Sequence, residues 1–215
     1  MCIRDSYKDV PGLMTADPKL VPSSRVIEEA SYEDALTMAR YGSKVVMEKA
    51  LGPAMGAMVP VIIKDFRNKG KGTTISGKGE SLAVCTMSNK KLVRVMPTSR
   101  TARNLSKTLS AWLQGAHGSY ASIDGSIALV HDRGTADKME PFLRKLGMTF
   151  EVVDGQSVVS LVGRKARNVP IDSFVHLVRE VAKEIRLIDI APSGMAMSAV
   201  IDDTSTEDAA RALHS

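Results

Sequence analysis

The 215-residue sequence predicts an α/β segment followed by two ferredoxin-like α+β modules that nearly follow the order strand, helix, strand, strand, helix, strand (βαββαβ). Three observations carry that expectation. A β-branched run at 59–66 (VPVIIKDF) follows two short helical patterns, as in an α/β layer. A small, polar stretch at 76–81 (SGKGES) separates two differently patterned halves. Beyond it the βαββαβ order nearly repeats about 75 residues on, which implies two related ferredoxin-like modules.

Residues 7–30 are punctuated by turn signals at VPG, ADP and VPSS, and form either an ordered or a disordered loop. At 31–42 (SYEDALTMARYG), Ser31 is an N-cap candidate. Glu33 and Asp34 occupy the first turn, Ala35, Met38 and Ala39 share a face, and Gly42 ends the helix. A second helix is expected over 43–55 (SKVVMEKALGPAM), closed by Gly52 and Pro53. The strand at 59–66 then leads through a Lys- and Gly-rich turn to a short strand, TTIS at 73–76.

In the first module, LAVCTM and KLVRVM read as strands and 99–116 as a helix. SYASI and SIALVHD read as strands around a turn at Asp124 and Gly125. TADKMEPFLRKLG reads as a helix with Pro141 in its first turns, and TFEVV as a strand. The second module reads as strand SVVSLVG, helix IDSFVHLVREVAKEI, strands RLIDIA and MAMSAVID, and helix TEDAARALH. The domain expectation is therefore 7–77, 82–154 and 155–215. Residues 1–6 (MCIRDS) are polar and unpatterned, read as a non-native leader, and are set aside from the fold.

Composition excludes several classes. Apolar residues make up 44% and charged residues 25%, the mix of a globular protein. Only 4% is aromatic, which argues against a base-stacking surface and so against a nucleic-acid partner. The net charge of +5 is spread among 24 acids, a solvated surface with mild anion preference. Two cysteines make no zinc or redox spacing, so no metal is expected, and cytoplasmic location fits best. No run approaches a membrane span. His117, His131, His176 and His214 lie far apart and suggest surface or core histidines. KGKGTTIS at 69–76 lacks the spacing of a phosphate loop and reads as a hairpin turn. Lys44 follows Gly42 and Ser43 at an expected helix start, where backbone N–H groups and a cation suit a nucleotide phosphate; a solvated lysine is the alternative. Asp17-Pro18-Lys19 is a turn or a nucleotide-facing loop.

Residues 8–19 (KDVPGLMTADPK), 27–39 (IEEASYEDALTMA) and 41–50 (YGSKVVMEKA) resemble the C-terminal part of the catalytic domain of aspartate kinases. That family shows TDVPGIYTTDPR, DEISY and GAKVLHP in turn. VPVIIKDFRNKGKGTTIS resembles the last strands of the same amino-acid kinase domain. The second half resembles the paired ACT regulatory modules of these enzymes, most clearly at 185–214.

The resemblance implies an ATP-dependent transfer to L-aspartate, giving 4-phospho-L-aspartate for lysine, threonine and methionine synthesis, with Mg²⁺ as cofactor. It implies nucleotide contacts at Asp9, Met14, Lys19, Lys44 and Val45. Met14 stands where tyrosine is usual, and Lys19 where arginine is usual, so purine packing and a bidentate fork are both lost. It implies effector contacts for lysine or threonine at Met96, Ser99, Ala102 and Asp124, with Gly194 where glutamate is common. A homodimer through the ACT modules is also implied. The family's N-terminal Lys-Phe-Gly-Gly motif and its catalytic acid have no counterpart here, so no catalytic residue is assigned, and the chain reads as N-terminally truncated and inactive alone. A non-catalytic ACT regulatory subunit that binds an amino acid and pairs with a kinase chain is the second reading.

Overall fold

The computed structural model describes residues 4–8, 10–67, 70–96, 105–114, 118–121 and 126–215. The chain divides into two compact units, 1–87 with 158–215, and 88–157.

In the first unit a four-stranded sheet has the order β1 (Arg4–Lys8), β3 (Val61–Asp65), β4 (Thr73–Ser76), β2 (Glu29–Ser31). β1 runs parallel to β3 with Arg4 opposite Val61, so three residues of the segment set aside as a leader take part in a strand. Backbone pairing needs no side-chain pattern, which is why the polarity of MCIRDS did not reveal it. β3 and β4 are antiparallel, and β2 is parallel to β4. Helices α1 (Tyr32–Arg40) and α2 (Glu48–Gly56) follow β2. Ile63 and Ile75 share a core cluster with Leu13, Ile27, Tyr32, Met38 and Leu51.

α1 starts as expected: Ser31 is extended, and its side chain accepts from the Asp34 N–H at 3.0 Å. α2 does not. It begins at Glu48, after a Met47 cap that makes no side-chain bond, so Lys44 lies in an irregular turn four residues before the helix. The cause is local. Gly42 has φ +111°, the Ser43 N–H donates to the Met38 carbonyl and the Gly42 N–H to that of Ala39. These bonds close α1 in the manner of a Schellman motif, and the β-branched pair Val45–Val46 then disfavours an immediate new helix.

Beyond this sheet the chain forms β5 (Ala83–Met96), α3 (Leu105–Thr108), α4 (Ser110–Gln114), β6 (Gly118–Ala121), β7 (Ile127–Asp132), α5 (Arg133–Lys145) and β8 (Thr149–Val162). A 3-10 turn (Arg164–Asn168), α6 (Ile171–Val181), β9 (Ile185–Ile190), β10 (Ala196–Asp202) and α7 (Thr206–His214) follow. β5 and β8 are each one 14-residue strand where two were expected. Each contains a left-handed residue, Asn89 with φ +58° and Gly155 with φ +65°, close to where the chain passes between units. Both residue types tolerate that conformation, so the strand continues through SNK and DGQ. Pro141 falls well past the first turns of α5, which starts two residues earlier than TADK suggested.

In the second unit β7 pairs antiparallel with both β5 and β6, and α5 packs Ala136, Met139 and Leu143 with Val93, Val95, Leu109 and Leu129. Trp112 sits edge-on to the buried His131. Back in the first unit, β10 pairs antiparallel with β9. α6 and α7 bury Phe174, Val178, Ala209, Ala210 and Leu213 with Val159, Leu161, Met197 and Ile201.

Candidate functional site

The VPG–ADP segment is an ordered loop. The Thr15 N–H donates to the Arg25 carbonyl at 2.9 Å, the Arg25 N–H donates to Thr15 Oγ1 at 2.9 Å, and the Ile27 N–H donates to the Leu13 carbonyl. Thr73 Oγ1 accepts from the Leu13 N–H and donates to the Ile27 carbonyl at 2.6 Å. Gly12 is required beside it, because a Cβ there would lie 2.4 Å from Thr73 Oγ1. Within the loop, the Leu20 and Val21 N–H groups donate to the Asp17 carbonyl, and Asp17 Oδ1 accepts from the Lys19 N–H. Asp17-Pro18-Lys19 is therefore a turn.

Met14 is half-buried and bridges antiparallel to Val26; Lys19 is exposed. Lys44 is exposed, and Val45 is half-buried against the cluster that holds Leu13 and Ile63. One core therefore anchors both the loop behind Met14 and the turn behind Lys44. Asp9 lies outside the described residues. So do Ser99, Ala102 and Asp124, leaving Met96, half-buried at the end of β5, as the described member of the effector set.

The turn carrying Lys44 is braced by β5. A Cβ on Gly42 would meet the Thr86 carbonyl oxygen at 2.5 Å. Cys85 is free and buried, with Sγ 3.9 Å from the Met38 carbonyl; burial pushes its thiol up to about 12 against the opposing Ser43 N–H. Burial first, and then the charge of Asp189, pushes the Tyr41 phenol up, while Arg40 opposes. The Asp189 carboxyl is itself pushed up by burial, opposed by the Ile190 N–H.

A group that sequence reasoning used only as a helix-start charge does far more. Asp34 is fully buried, and its Oδ2 accepts from the Ser81 N–H at 2.9 Å and the Ser81 hydroxyl at 2.8 Å. Oδ1 accepts from the Arg164 N–H at 2.8 Å, while the Arg164 guanidinium pairs with Glu33. Gly163 makes the approach possible, since a Cβ there would lie 2.2 Å from the Ser81 carbonyl oxygen. Arg167 Nε donates to the Ser193 carbonyl, and its side chain lies 3.3 Å from where a Gly194 Cβ would stand.

Among the described residues no three His, Cys, Asp or Glu side chains gather as a metal cage. No helix among them is long and apolar enough to cross a membrane.

Residues 6–65 match the amino acid kinase family. The chain is 29% identical to the aspartokinase of Corynebacterium glutamicum over 97% of its own length and 55% of the relative's. For the aspartokinase of Schizosaccharomyces pombe the identity is 27%, covering 97% and 47%. In three dimensions it superposes on E. coli aspartokinase III in complex with aspartate and ADP (R-state), with a TM-score of 0.83 and 25% identity, covering 98% of this chain and 51% of that one. The same enzyme in complex with lysine and aspartate (T-state) gives 0.78. The chain spans about half the length of these relatives and resembles aspartokinases over nearly all of its own.

Proposed function

We propose that this chain is the nucleotide-side and regulatory part of an aspartate kinase, the enzyme that transfers a phosphoryl group from ATP to L-aspartate to give 4-phospho-L-aspartate. The observation that carries this reading is the shared core that anchors the loop of Met14 and Lys19 and the turn of Lys44 while leaving both lysines exposed. Two exposed cations on backbone tied to this core suit phosphate oxygens, because transfer of this kind depends on positioned charge. Met14 and Val45 supply apolar contact. Mg²⁺ would supply charge neutralisation for the transferred phosphoryl group; among the described residues no three His, Cys, Asp or Glu side chains gather to hold it. That E. coli aspartokinase III was captured with ADP supports the nucleotide.

On this reading residues 7–77 are the end of the kinase domain, and 82–154 and 155–215 are ACT modules. They bind an amino-acid effector such as lysine or threonine and pair two copies of the chain in the cytoplasm. The complex of E. coli aspartokinase III with lysine supports the effector class. A purely regulatory chain has no use for the lysine-bearing loop and turn, which weighs against that alternative.

ADP titration tests the proposal: the chain binds ADP, and Lys44→Ala weakens binding about tenfold, as loss of one charge-assisted bond predicts. Equal affinity in the variant removes Lys44 from the site. The 215 residues contain no Lys-Phe-Gly-Gly motif, so a coupled ADP-release assay with aspartate is expected to show no turnover; turnover above background overturns that part.

A further inference from the structure

We propose that α7 positions the loop of residues 13–27, with His214 and Arg211 as its positioning residues; what that loop does rests on the nucleotide reading above. His214 Nε2 lies 2.8 Å from Thr15 Oγ1, and Arg211 Nε donates to the Leu20 carbonyl at 3.0 Å. Thr15 and Leu20 are the residues directly after Met14 and Lys19. α7 thus grips the neighbour of each candidate nucleotide residue on this loop.

The grip is well placed. Thr15 closes the loop at its base by exchanging bonds with Arg25, and its Val84 partner donates an N–H to the Thr15 carbonyl. Its hydroxyl has one proton and two lone pairs. Arg25 takes one lone pair, and His214 takes the proton or the other lone pair. Arg211 and His214 are three apart and share a helix face. Glu207, one turn earlier, pairs with the Arg211 guanidinium and so orients its Nε. Beneath these bonds Ala16 and Val21 are buried in one cluster with Ala209, Ala210 and Leu213, and Leu20 packs against it. A loop held only by its own turns can rock about its base; one tied at base and tip to a helix moves with that helix.

Amide exchange over residues 15–25 in the 215-residue chain, with and without ADP, tests this. His214→Phe keeps the ring shape and removes the bond; exchange is expected to rise about 3- to 10-fold, the range for one lost hydrogen bond, and His214→Gln restores it. Arg211→Met raises exchange at the tip similarly. ADP affinity falls in His214→Phe and returns in His214→Gln, a rescue that a volume effect would not give. Unchanged exchange in both His214→Phe and Arg211→Met overturns the proposal, as does faster exchange with ADP affinity unmoved. Failure of the parent chain to bind ADP overturns the nucleotide reading instead, and the exchange ratios still decide whether α7 holds the loop.

Discussion

Asp34 shows how much one side chain can bind together. Its carboxylate takes three donors from Ser81 and Arg164 inside the protein, and hydrogen bonds to a buried charge are worth more than neutral ones. Asp34→Ala strands all three donors and is expected to destabilise the chain by about 3 to 5 kcal/mol in urea unfolding; a loss below 1 kcal/mol would show the cluster to be dispensable. Gly42→Ala combines a φ of +111° with a 2.5 Å approach to Thr86, so a loss of roughly 2 to 3 kcal/mol is expected in the same measurement. Cys85 adds a pH signature. Its folded thiol holds its proton up to about 12, whereas the unfolded thiol releases it near 9.0, so the unfolded chain binds fewer protons between those values. The stabilisation is complete below pH 9 and declines as pH rises toward 12, and Cys85→Ser flattens that decline. Met14→Tyr restores a ring at the loop, and ATP is expected to bind several-fold more tightly; an unchanged titration would show that Met14 lies away from the purine.

At the scale of elements, legibility tracked how local each cause was. The α1 cap at Ser31 and its stop at Gly42 are written in adjacent residues, and both were readable. The strands at 61–65 and 73–76 came from β-branched runs. α2 was misplaced because the Schellman close and the two valines were read as a helix start rather than as an interruption. β5 and β8 were each split in two because Asn89 and Gly155 carry turn chemistry, while strand pairing around them decides the outcome. Phe174 is the fully buried anchor of α6, and its removal to alanine is expected to lower stability by about 3 to 5 kcal/mol by the same urea measurement, with the mid-point falling and the slope unchanged.

For the whole molecule, the kinase-like order of motifs, the βαββαβ pattern and the absence of zinc or redox spacing were all present in the one-dimensional sequence. The motifs and the elements of the βαββαβ pattern each rest on short local stretches, and the likeness to aspartokinases over 97% of the chain agrees with the fold class. The sequence by itself therefore determined the fold class and pointed to the segments of Met14, Lys19 and Lys44, while the order of the 7–30 loop and the place of Lys44 before α2 came from the structure. Tertiary structure alone decided what supports them. Thr15 meets His214 across 199 positions, and Arg164 meets Asp34 across 130. No local period or spacing encodes such a meeting, because burial against a distant segment sets it, and a polar side chain reads the same whether it faces water or a partner brought to it by the fold.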